Sequence, residues 1–79
     1  MFNLSINALD KNIFDGEAES LTLPGIDGEL TILENHIPLV TPLKAGKLRF
    51  KSGKQNPEFF LKGGVLEVSP SKVIVLVNL

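Results

Sequence analysis

From Phe2 to Ala8, apolar and polar residues alternate one for one, and this period of two returns almost to the end of the chain. Phe2, Leu4, Ile6 and Ala8 make one face, while Asn3, Ser5 and Asn7 make a wet one. No window of about eleven residues carries helical spacing, so the chain is confined to strands and turns. Asp15-Gly16, after the pair Ile13-Phe14, reads as a turn, and Glu17 to Leu23 as a strand closed by Pro24-Gly25. Asp27-Gly28 is a further turn signal, with Leu30, Ile32 and Leu33 forming a third strand behind it. Leu39 to Leu43 contains Pro42, which lacks an N–H, so this segment is expected at an edge, a bulge or a strand end.

After the turn at Ala45-Gly46, Leu48 and Phe50 alternate with Lys47, Arg49 and Lys51. Residues 52–57 form a loop by composition, and Phe59 to Leu61 lead into Gly63-Gly64, which marks a bulge or a close backbone approach. Ser69-Pro70-Ser71 turns the chain into Val73 to Val77, apolar on both faces and so expected at the centre of a sheet or between two layers. Short strands with turn signals every eight to twelve residues or so predict one all-β domain over residues 1–79, a flattened antiparallel sandwich of about ten short strands.

A chain of 79 residues buries only a modest core, and such domains often add staples. Zero cysteines exclude disulfides and a thiolate zinc site, leaving tight sheet packing or a partner protein. A net charge of −1 from eight basic and nine acidic residues gives no electrostatic footprint for nucleic acid. The basic run from Lys44 to Lys54 holds a single aromatic, Phe50, and reads as the solvated face of a strand. No apolar run approaches the roughly 20 residues of a spanning helix, and Asp10 interrupts the N-terminus where a signal peptide would stay apolar. The chain therefore reads as soluble and intracellular, without direct membrane insertion.

Catalysis and cofactor binding need constellations that are missing. The single histidine, His36, has no second histidine or cysteine to share a metal, only Glu34 and Glu29 nearby. No nucleophile motif surrounds any serine. Glu17 and Glu19, two apart, read as a solvated face rather than an acid/base pair, and no lysine-serine pair follows Gly63-Gly64 as a phosphate loop requires. No catalytic residue, metal or cofactor is expected.

Five segments, in order, resemble the epsilon subunit of F-type ATP synthases. Gly28-Glu29-Leu30-Thr31-Ile32-Leu33, followed by His36-Ile37-Pro38-Leu39, is similar to the family's Gly-Glu strand and His-Ala-Pro-Leu loop. Ile13-Phe14-Asp15-Gly16 resembles the block after its first strand, and Leu43-Lys44-Ala45-Gly46-Lys47-Leu48-Arg49 its Lys-Pro-Gly turn. Gly63-Gly64-Val65-Leu66-Glu67-Val68 matches its Gly-Gly block almost residue for residue, and Lys72-Val73-Ile74-Val75-Leu76 resembles its closing strand.

The resemblance implies a non-catalytic central-stalk subunit that couples ion-driven rotation to ATP synthesis. Its partners would be the gamma subunit and the c-ring loops, with the catalytic head reached indirectly. It would be peripheral to the membrane, on the cytoplasmic face of a bacterial inner membrane or its organelle equivalent. By the same resemblance Asp27, Gly28 and Glu29 meet the c-ring, while Ala8, His36, Pro38 and Thr41 face gamma. Such a surface is expected to show an apolar patch larger than the few hundred Å² usual on a monomer.

The sequence also departs from the family. Glu34-Asn35 replace a Pro-Gly, and Asn35 is expected to keep the positive-φ turn. Ile37 replaces Ala, and Ala45 replaces Pro. Full-length relatives continue into an α-helical hairpin absent from these 79 residues, so hairpin-based inhibition is not expected. The competing reading is a free-standing ligand-binding sandwich. A carbohydrate site of that kind would stack the sugar on Trp or Tyr, and this chain has neither.

Overall fold

A computed structural model describes all of residues 1–79. It contains strands and no helix: β1 (Phe2–Ala8), β2 (Lys11–Ala18), β3 (Ser20–Gly25), β4 (Gly28–Ile32), β5 (Leu39–Leu43), β6 (Gly46–Lys51), β7 (Glu58–Leu61), β8 (Gly63–Val68) and β9 (Lys72–Asn78). The hydrogen-bonded path runs β2-β1-β9-β8-β5-β3-β6-β7, with β4 on β3. Its weak link is β5 to β3, a single pairing of Gly25 with Leu43. There the sheet folds into two layers, β2-β1-β9-β8-β5 over β4-β3-β6-β7. The inner faces interleave Leu4, Ile6, Leu66, Val73 and Val75 from the first layer with Leu21, Leu23, Leu48, Phe50 and Leu61 from the second, as one core cluster.

Three features differ from the sequence reading. Asp15-Gly16 lies inside β2, opposite Ser5 and Leu4, and the chain instead reverses at Leu9-Asp10 between Ala8 and its partner Lys11. Gly16 is small because Phe14 leans along its own strand: a Cβ on Gly16 would sit 3.1 Å from the Phe14 ring, which itself meets the Phe50 ring at a tilt of 49°, centroids 4.5 Å apart. Glu17 to Leu23 is two strands with a corner at Glu19, where the chain leaves one layer for the other. Glu19 N–H donates there to the Lys51 carbonyl at 2.8 Å. Finally, β1 and β9 run parallel, Asn3 beside Lys72 through Asn7 beside Leu76, while every other pairing is antiparallel.

Pro42 sits as its chemistry requires. It pairs with Val65 of β8, but its backbone faces the other side, where the single bridge to β3 uses its carbonyl, by Ile26 N–H at 3.2 Å, and asks for no N–H from it. Gly63-Gly64 marks a close approach, since a Cβ on Gly64 would collide with the Leu76 carbonyl of β9. Val73 to Val77 is central, between β1 and β8, yet only Val73, Val75 and Val77 are buried. The wet face of β1 is also less wet than its pattern suggests: Ser5 is buried and accepts from Asn7, whose Oδ1 accepts from Asn12 at 2.8 Å.

Candidate functional site

The β3–β4 hairpin closes at Gly25 opposite Gly28, with Ile26-Asp27 as its two-residue loop. That loop projects Ile26, Asp27 and Glu29 into solvent. Beneath them a shallow trough runs between β4 and β5, lined at one end by Gly28, Glu29, Leu30, Leu39 and Thr41. Leu30 and Leu39 continue it toward His36 and Ile37. The structure thus brings Thr41 alongside Asp27, Gly28 and Glu29, residues that the resemblance gives to two separate partners.

The β4–β5 loop is built around His36. Asn35 has φ of 65°, the left-handed value that Gly would supply at the third position of a tight turn and that Asn tolerates. The turn swings the imidazole inward, so that its nitrogens lie 2.9 Å from the carbonyl oxygens of Leu33 and of Ser69 in the β8–β9 turn. The ring also meets Phe2 nearly perpendicularly, with centroids 5.6 Å apart. With the ring occupied, the loop presents Leu33, Ile37 and Pro38 outward; Ile37 is 81% exposed.

Ala8 stands apart from this loop. It ends β1, whereas Phe2 at the other end touches His36, so six residues of strand, roughly 20 Å, separate the two. Around Ala8 lie Leu9, Val65, Leu76 and Val77.

One surface was not anticipated. Register across β5, β8 and β9 places Val40 beside Glu67 and Ile74, and Pro42 beside Val65 and Leu76, all on the outer face of the first layer. Val40, Val65 and Leu76 are exposed, by 68%, 40% and 52%. The signal was in the sequence: an unbroken Val73 to Val77 run must turn alternate side chains outward. No group of three His, Cys, Asp or Glu side chains comes together as a metal site would need, and no helix is long and apolar enough to cross a membrane.

A family model described as the ATP synthase delta/epsilon chain, beta-sandwich domain, matches residues 1–79. The chain belongs to this ATP synthase delta/epsilon family. Relatives named ATP synthase epsilon chain include one from Dehalococcoides mccartyi, 40% identical over 75 residues, covering 95% of this chain and 54% of the relative. Another from Herminiimonas arsenicoxydans is 44% identical over 77 residues, covering 95% and 55%. One from Prochlorococcus marinus is 43% identical over 76 residues, covering 96% and 57%. The chain therefore spans little more than half the length of these epsilon relatives. Among solved structures, a chain of the Euglena gracilis mitochondrial ATP synthase assembly of OSCP, F1 and c-ring superposes with a TM-score of 0.88 at 23% identity, over 96% of this chain and 49% of that one. A chain of the Tetrahymena thermophila mitochondrial ATP synthase central stalk and c-ring gives 0.85 at 14%, over 98% and 63%. At these identities the likeness shows a shared sandwich fold.

Proposed function

We propose that this sandwich is the rotor-docking domain of an ATP synthase epsilon subunit, a non-catalytic part of the central stalk. It binds the gamma subunit and rests on the loops of the c-ring, so that ion-driven rotation of the ring is passed to the catalytic head. The observation that carries this reading is the family match over the whole chain, to relatives named epsilon chain. In this reading Asp27, Gly28 and Glu29 meet the c-ring loops from the tip of the β3–β4 hairpin. Ala8, His36, Pro38 and Thr41 belong to the gamma face, His36 working chiefly by presenting Ile37 and Pro38. The exposed apolar residues Val40, Val65 and Leu76 give a docking interface its desolvated centre. The subunit is then peripheral, held at the cytoplasmic face of a bacterial inner membrane, or the organelle equivalent, through the complex.

Co-purification tests it. Tagged 79-residue chain should retain purified gamma subunit at micromolar concentration. Failure to bind, while a longer epsilon relative binds the same gamma under the same conditions, would remove the assignment. His36→Ala should weaken the interaction while leaving the sandwich folded.

A further inference from the structure

We propose that His36 is a protonation-operated clamp that fixes the β4–β5 loop to the β8–β9 turn. Both contacts of the ring are to carbonyl oxygens, which only accept hydrogen bonds: Leu33 on Nδ1 and Ser69 on Nε2, each at 2.9 Å. A neutral imidazole carries one N–H, whereas the imidazolium carries two. Only the cation donates to both oxygens. In either neutral tautomer one ring nitrogen points a lone pair at a carbonyl oxygen, and that contact must open or admit water.

The two contacts are not equivalent. The Leu33 carbonyl lies three residues back in the same loop, so that bond closes a local turn. The Ser69 carbonyl is 33 residues away in sequence and belongs to the turn between β8 and β9. The clamp is therefore complete in the cation and loses one of its two bonds as the ring deprotonates. What it controls is the attitude of Leu33 and Ile37, which are 56% and 81% exposed on the same loop.

The hollow bordered by His36 holds two carboxylates, Glu34 from its own loop and Glu17 from β2. Its one cation is the N-terminal ammonium of Met1, already paired with Glu34 at 2.6 Å. Asn3, Asn35, Pro70 and Ser71 complete the hollow without charge. Phe2 covers the ring from β1 at an interplanar angle of 85° and supplies no competing donor.

The test is an NMR titration of the ¹⁵N-labelled 79-residue chain from about pH 5 to 8, the interval in which histidine commonly changes charge. At the acid end both ring nitrogens should give protonated shifts. As the ring titrates, the amides of Glu34 to Ile37 and of Ser69 to Ser71 should move with the same midpoint, and hydrogen exchange in the loop should rise about five-fold once corrected for intrinsic rate, as expected for one lost hydrogen bond. His36→Gln should abolish the step that the two groups of amides share with the ring, leaving only the response of Glu34 and its neighbours to the Met1 ammonium. If the ring titrates while both groups of amides stay still, or if the β8–β9 turn does not share the midpoint, the clamp does not exist. The wild-type titration decides the matter even if the variant fails to fold.

Discussion

Gly64→Ala should be among the most damaging one-carbon changes available in this chain. Gly64 sits where β8 is hydrogen-bonded on both sides, opposite Leu43 of β5 and Val77 of β9. A Cβ there strikes the Leu76 carbonyl, a backbone atom that cannot swing aside as a side chain would. Relief requires β8 and β9 to part locally, loosening ladder bonds next to the buried Val77 and Leu66. Overpacking against a rigid neighbour costs about 3 kcal/mol at the upper end of its usual range. For 79 residues the unfolding entropy is about 0.17 kcal/mol per degree, so Tm should fall by about 18 °C. Gly53→Ala is the control for a positive φ, which Gly64 shares at 158°. Gly53 has φ of 63° with nothing within 4 Å of a Cβ, so the methyl group meets only the left-handed backbone penalty, about 1 kcal/mol or 6 °C. Thermal melts followed by circular dichroism compare the two variants. If they melt within a few degrees of each other, the close approach of β8 to β9 is not what excludes a side chain at Gly64.

The other predictions separate the core from the surfaces. Leu66→Ala empties a fully buried position between the layers and should cost about 3 kcal/mol, read as a lowered midpoint in urea with an unchanged slope. Leu76→Asp places a charge on the exposed outer face, so it should move Tm by only a few degrees yet weaken gamma binding at least ten-fold, about 1.4 kcal/mol, by calorimetric titration. Glu29→Lys should leave the melt unchanged and reduce co-sedimentation with detergent-solubilised c-ring, with a stronger effect at low salt. Added to a reconstituted stalk, the 79-residue chain should not suppress ATP hydrolysis; suppression matching that of a hairpin-bearing epsilon would place the inhibitory surface on the sandwich itself.

Most strands were legible because a half-buried strand writes its two environments into alternate residues, as Leu48 and Phe50 do against Lys47, Arg49 and Lys51. Asp15-Gly16 misled for a physical reason. The same glycine that frees a turn also makes room for a neighbouring ring, and the sequence does not distinguish the two uses until Phe14 is seen lying along its own strand. The corner at Glu19 was hidden because β2 and β3 continue one another with a single residue between them, and no Gly or Pro marks the change of layer. The parallel pairing of β1 with β9 was beyond any local reading, because it joins residues at opposite ends of the chain and has no turn of its own. Its only trace was the doubly apolar Val73 to Val77 run, of the kind that strands in parallel pairings often carry.

That run also shows why the site was less legible than the fold. A central strand explains Val73, Val75 and Val77, which enter the core, but not Leu76, which does not. Once β8 and β9 are in register, Leu76 lies beside Val65 and Pro42, and the apolar character of three separate strands becomes one surface. An isolated exposed leucine is ordinary, whereas apolar neighbours aligned across a sheet face are what a partner desolvates. The histidine follows the opposite course. The resemblance turns it toward the gamma subunit, yet both of its nitrogens are spent on carbonyls inside the molecule. In the proposed docking role the contact would pass to Ile37, which the folded loop holds in the open. A partner reading this surface would meet the apolar loop and the outer sheet face directly, and would meet His36 through the position it imposes on them.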